Sequence, residues 1–227
     1  MSDMFYVMLL MIVMVLSLGA QGKVQSTFRK YAAKPTQRGL AASRVAQELL
    51  SRGGSSVQLT RVSGTLTDHY DPKRGIVGLS DQVYDSSSVA AIAVAAHEIG
   101  HVMQYQEGYG PIRFRNAILP VAAIGSQAAP WIVIMGLFFG SYRLAMVGVI
   151  LFGAMLAFQV ATLPVEFNAS SRALRMLEEG NYITYEESDG ARVVLKAAAM
   201  TYVYAALASL VTFLRLFAMA NRGRRRD

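Results

Sequence analysis

The chain has 227 residues, of which 53% are hydrophobic and 16% charged, with a formal net charge of +7 and no cysteine. Water-soluble domains carry about 25% charged residues, so a chain built wholly for water is excluded. The missing cysteines exclude disulfides, thiolate catalysis and thiol-linked lipid anchors together. No basic stripe interleaved with aromatics occurs in the polar region, so the positive charge is read as attraction to anionic lipid headgroups and nucleic acid is not an expected partner.

Residues 4–20 are an uncharged run just long enough to cross a bilayer. Met1-Ser2-Asp3 ahead of it offers no Lys or Arg, and no small-x-small cleavage site follows, so a retained anchor is expected rather than a signal peptide. Residues 21–115 are the largest water-facing block and read as one small α/β unit. Thr36 is predicted to cap a helix running through Leu40, Val45 and Leu49 to about Ser51, stopped by Gly53-Gly54. Val57 to Val62 alternates as a strand. The runs 64–70 and 75–80 flank Asp71-Pro72-Lys73-Arg74-Gly75, a hairpin loop. Ile76 to Ser80 is the candidate edge strand, either pairing with an extended substrate backbone or simply covering the next helix.

That next helix is expected over about 86–107. Asp85-Ser86-Ser87-Ser88 offers N-caps, Val89 to Ala96 favours helix, and Gly108 is a natural stop. The run 89–96 is apolar on every side, which predicts a buried helix. Residues 97–101 read His-Glu-Ile-Gly-His and use two of the three histidines of the chain. Histidines four apart lie one turn above each other on one helix face, so His97 and His101 can reach a single metal ion. Glu98 stands beside them, placed to take a proton from water activated by that ion. The expected class is a zinc hydrolase of the HExxH type.

Residues 116–142 and 144–165 carry no charge and are divided by Arg143 alone, so 116–165 is predicted to be a transmembrane hairpin turning near Gly140-Ser141-Tyr142-Arg143. A polar helical segment, 166–196, follows. Residues 197–220 form a C-terminal hydrophobic helix with Arg215 near its end, and 221–227 is a basic tail. Lys23, Arg29, Lys30, Lys34 and Arg38 follow the first segment, and Arg113 and Arg115 precede the second. The positive-inside rule therefore puts the HExxH block in the cytoplasm. Four full crossings would leave the arginine tail outside, against the same rule, and the last segment is the candidate for not crossing.

Catalytic zinc sites commonly combine three protein ligands with one open position. Without cysteine, the third-ligand candidates are His69, Glu107, Glu166 and the aspartates between 68 and 85. A hairpin returns the chain to the face it left, which would bring Glu166 back towards His97 and His101. His69 could act as a transition-state stabiliser, a weak third ligand, or a strand histidine packing on Tyr70. Tyr70, Tyr84 and Tyr105 are candidates for polarising a substrate carbonyl.

Three stretches carry a resemblance: Leu66-Thr67-Asp68-His69-Tyr70-Asp71-Pro72, the run from Ala93 to Gln104, and Phe167-Asn168-Ala169-Ser170. With four hydrophobic segments in this order, the combination resembles the YugP-like family of membrane zinc metallopeptidases. It is also similar to the gluzincin arrangement of HtpX-type membrane proteases, where a helix bears Glu-x-x-Ala-Asp. The resemblance implies a predominantly helical α+β membrane protein with three or four transmembrane segments and a small zincin-like α/β domain. It further implies Zn2+ held by His97, His101 and Glu166, a polypeptide substrate, and a place in a bacterial inner membrane. Here Ser170 stands where those relatives have aspartate, and a hydroxyl holds a ligand imidazole more weakly than a carboxylate.

The expected activity is hydrolysis of peptide bonds at the membrane surface, with Glu98 as general base. Cleavage inside the bilayer is the second enzymatic possibility. Only about eight uniformly apolar residues precede His97, which is too short for a span. A zinc-stabilised membrane scaffold without turnover is the non-enzymatic one, and an intact Glu98 weighs against it.

Overall fold

A computed structural model describes residues 3–223, with side chains as far as Asn221. The last residues of the basic tail lie outside the described residues. The fold is mostly helical, with one small sheet, and the chain divides into two compact units.

The first unit comprises the chain up to Gly19, Gly110–Pro164, and the chain from Thr201 onward. It takes the first part of α1 (Asp3–Ala32), all of α5 (Gly110–Phe138), the first part of α6 (Tyr142–Glu179) and the last part of α7 (Tyr185–Gly223). All four helices are long and apolar enough to cross a membrane. Met8, Ile12, Trp131, Phe138 and Ile150 among many others point outward, an exposure that suits lipid and not water. The turn between α5 and α6 contains Gly140 at φ +65°. Small residues let these two helices touch: a Cβ on Gly125 would lie 2.3 Å from the Leu151 carbonyl oxygen, and one on Gly136 would lie 2.3 Å from the Ala145 nitrogen. Arg215 near the end of α7 donates to both carboxylate oxygens of Asp3 at the start of α1, at 2.9 and 3.2 Å.

The second unit comprises Ala20–Tyr109 and Val165–Met200. Its core is α4 (Val89–Gln106), buried along almost all of its first half, as the apolar run predicts. Ser88 caps the helix through a hydroxyl that accepts from the Ala91 N–H. At the other end Gly108, at φ +63°, follows the last turn. Against α4 packs α2 (Ala42–Arg52), whose buried Ala42, Val45, Ala46, Leu49 and Leu50 follow the 3.6-residue period. This helix begins later than the Thr36 cap predicts. Thr36 instead donates its backbone N–H and its hydroxyl to the Ser87 carbonyl, at 2.9 and 3.1 Å. The Lys34 carbonyl accepts from Val89 N–H at 2.9 Å. The Lys34 carbonyl therefore serves the N-terminus of α4, where helical donors lack partners of their own, while Thr36 ties the chain to the residue before its cap.

The sheet holds β1 (Gln58–Val62), β2 (His69–Asp71) and β3 (Ile76–Ser80) in the order β1-β3-β2. β2 and β3 form the expected antiparallel hairpin, and β1 pairs with β3 in parallel. β3 is thus the central strand and not the edge the sequence suggested. The physical reason lies in its composition: Ile76-Val77-Gly78-Leu79 is apolar at every position and is buried on both faces, as a middle strand requires. A four-residue helix, α3 (Asp81–Tyr84), leads from β3 to α4.

Candidate metal centre

Helical spacing sets the first half of the site. His97 and His101 stand on α4 with ring centroids 4.7 Å apart and planes at 84°. The second half comes from α6. At 1.5 Å per residue a 38-residue helix is about 57 Å long, well beyond a hydrocarbon core of about 30 Å. Its continuation past Pro164 carries Glu166. Glu166 Oε2 lies 3.3 Å from His97 Nε2 and 3.7 Å from His101 Nε2. All three side chains are largely shielded, with 6, 16 and 14% of their surface accessible for Glu166, His97 and His101.

The donor set fits a metal. One atom from each of the three residues falls within 4.8 Å of the others. Zinc bonds of about 2.0–2.1 Å at tetrahedral angles place neighbouring donors about 3.3–3.4 Å apart, close to the two separations here. Two imidazoles and a carboxylate also match the nitrogen and oxygen preference of zinc.

The ring nitrogens that face away from Glu166 both have partners. His97 Nδ1 is 3.2 Å from the Ser170 hydroxyl, and His101 Nδ1 is 3.0 Å from Gln104 Oε1. Close approach of α4 and α6 depends on Gly100, whose Cα faces the Ala169 backbone. Glu98 is 8% exposed. Burial pushes its carboxyl above the ordinary glutamate range, while His97 and His101 pull it back. Burial also works against a charged His101, but Glu166 and Glu98 outweigh it and raise its pKa. Asp68 accepts from Ser80 N–H at 2.7 Å and Ser80 Oγ at 3.0 Å, fastening the start of the hairpin to the end of β3. Burial raises the Asp68 carboxyl against those two bonds.

Of the residues the sequence singles out, His97, His101 and Glu166 come together, and Glu98 lies between the two histidines in sequence on the same helix. His69 is not one of the three clustered donors. It is exposed on β2, with Nδ1 2.9 Å from the Thr67 carbonyl and its ring over Gly78. Tyr70 packs edge-on against Tyr105 at 5.4 Å, and Arg61 covers Tyr84. Glu107 is held by Arg172 in a two-pronged ion pair. Asp68, one of the aspartates the sequence offers as a third ligand, is not among the three clustered donors. Sequence reading assigned no role to Gly100 or Gln104. Gln104 had a signal: it stands three residues after His101, on the same helical face.

Four helices long and apolar enough to cross a membrane and a shielded His-His-Glu cluster that could hold a metal fit the class of membrane metalloproteins. The chain belongs to the family described as "Putative neutral zinc metallopeptidase", whose model matches residues 6–221. It is 44% identical over 222 residues to the "Putative membrane protease YugP" of Bacillus subtilis (strain 168), covering 97% of this chain and 99% of that protein. No solved structure matches. The family's metal is zinc, and His97, His101 and Glu166 form a cluster able to hold it.

Proposed function

We propose that the chain is a membrane-anchored, gluzincin-type zinc endopeptidase with a zincin-like α/β part, cutting polypeptides at the cytoplasmic membrane surface. The observation that carries this reading is the meeting of Glu166 Oε2 with both imidazole Nε2 atoms. His97, His101 and Glu166 would hold the ion. A zinc there supplies Lewis acidity towards a scissile carbonyl and towards water. Glu98 takes the proton of the attacking water and hands it to the departing amine nitrogen, a task suited to a carboxyl lifted above its usual range by burial.

Residues 21–115 with 166–196 form the catalytic part, and 4–20, 116–165 and 197–220 hold it to the bilayer. The basic residues from Lys23 to Arg38, with Arg113 and Arg115, favour a cytoplasmic face for the site. β2 packs on α4 and is an outer strand of the sheet, so it replaces β3 as the edge for an extended substrate backbone.

The test is Glu98→Gln in the full-length chain purified in detergent. Zinc content should equal that of the wild type, while hydrolysis of polypeptide substrates falls by about 10²–10⁴-fold. Undiminished hydrolysis would overturn Glu98 as general base. A zinc-loaded wild type without hydrolysis would favour the scaffold reading.

A further inference from the structure

Gln104 is fully buried in the last turns of α4. A buried primary amide is costly unless its hydrogen-bonding groups find partners. Those of Gln104 do. Nε2 donates to the Val165 carbonyl at 2.8 Å and to Asn168 Oδ1 at 3.0 Å, while Oε1 lies 3.0 Å from His101 Nδ1. The backbone carbonyl of Val165 can only accept, which assigns the NH2 end of the amide to α6 and its oxygen to His101. His101 Nδ1 must then carry the proton. In the neutral, metal-binding form of the ring the lone pair then falls on Nε2, the atom that faces Glu166.

The network continues on both helices. Asn168 Oδ1 also accepts from Arg172 Nε at 2.7 Å, and the guanidinium of Arg172 grips both Glu107 oxygens at 2.7 and 2.6 Å. Gln104 of α4 and Glu107 just beyond its end thus hold residues 165, 168 and 172 of α6, the stretch on which Glu166 stands. His97 has no comparable anchor, because a serine hydroxyl rotates freely and can donate or accept.

We propose that Gln104 is a positioning residue of the zinc site. One amide selects the tautomer and ring rotation of His101 and also docks the helix that supplies Glu166. This rests on His97, His101 and Glu166 being the zinc ligands. A carboxylate could take the proton of His101 but could not donate to Val165 and Asn168. An amide does both, which accounts for a glutamine where an acid would orient the imidazole more strongly.

The experiment measures zinc affinity of the full-length chain in detergent by competition with a chromophoric chelator. The absorption bands of the Co2+-substituted protein report ligand geometry separately. Gln104→Met keeps the volume and removes every hydrogen bond. It should weaken zinc binding by about 10–100-fold and alter the cobalt spectrum. Gln104→Glu keeps the acceptor for His101 but loses both donors, so it should fall between Gln104→Met and the wild type. Ser170→Ala should cost less than Gln104→Met. If Gln104→Met does not fold, Gln104→Glu decides. Wild-type affinity and an unchanged cobalt spectrum in the deciding variant would overturn the role of Gln104 while leaving the ligand assignment standing. A wild-type chain that binds no zinc would overturn both.

Discussion

Gly100 faces the backbone of Ala169 so closely that a Cβ on Gly100 would lie 2.6 Å from the Ala169 carbonyl oxygen and 3.2 Å from its Cα. No flexible side chain is there to move aside, so a methyl group must push α4 and α6 apart. The glycine inside the His-Glu-Ile-Gly-His run thus sets the distance at which a second helix can deliver a third donor. Gly100→Ala is expected to cost about 1–3 kcal/mol in stability and to weaken zinc binding. Thermal denaturation and zinc titration check this, with Gly22→Ala as control, since a Cβ on Gly22 meets nothing within 4 Å. Equal zinc affinity in Gly100→Ala and the control would refute the spacing role.

Zinc should stabilise the folded chain by mass action. At a free concentration of 100 times Kd the gain is about 2.7 kcal/mol for a single site. A chelator is expected to lower Tm and abolish hydrolysis, with both restored by added zinc. His97→Ala, His101→Ala and Glu166→Ala should each remove most of the zinc-dependent shift. A full shift in Glu166→Ala would mean that another residue completes the site.

Because the chain has no cysteine, single cysteines can be introduced on a clean background. Gln82→Cys, ahead of α4, and Ser171→Cys, beyond Glu166, are both at exposed positions. An impermeant thiol reagent should modify both in inside-out membrane vesicles and neither in intact cells. Labelling from opposite sides would be incompatible with Glu166 and the histidines sharing one ion.

Asp3 and Arg215 join the first turn of α1 to the last part of α7. Asp3→Arg should lower Tm in detergent by setting two cations side by side. Adding Arg215→Asp should recover part of the loss, whereas independent effects would simply add.

Much of this protein is written in local sequence. The four apolar runs, the Ser88 cap, the Gly108 stop and the i, i+4 spacing of His97 and His101 depend only on residues within a few turns of one another. For the same reason α2 is recognisable from its apolar period even though its start is not. Other features depend on which segments pack together, and only the tertiary structure decided them. Thr36 looks like a helix cap, but its strongest partner is Ser87, fifty-one residues away. Ile76 to Ser80 reads as an edge strand in the sequence, and the parallel pairing of β1 makes it the middle one. Glu166 could be expected near the histidines from the return of a hairpin and from a family resemblance. The separations of 3.3 and 3.7 Å arise because Gly100 admits the α6 backbone and Gln104 binds it. A hydrogen bond across sixty-one residues leaves no periodic trace, since its energy is gained only after both helices have formed and closed on each other.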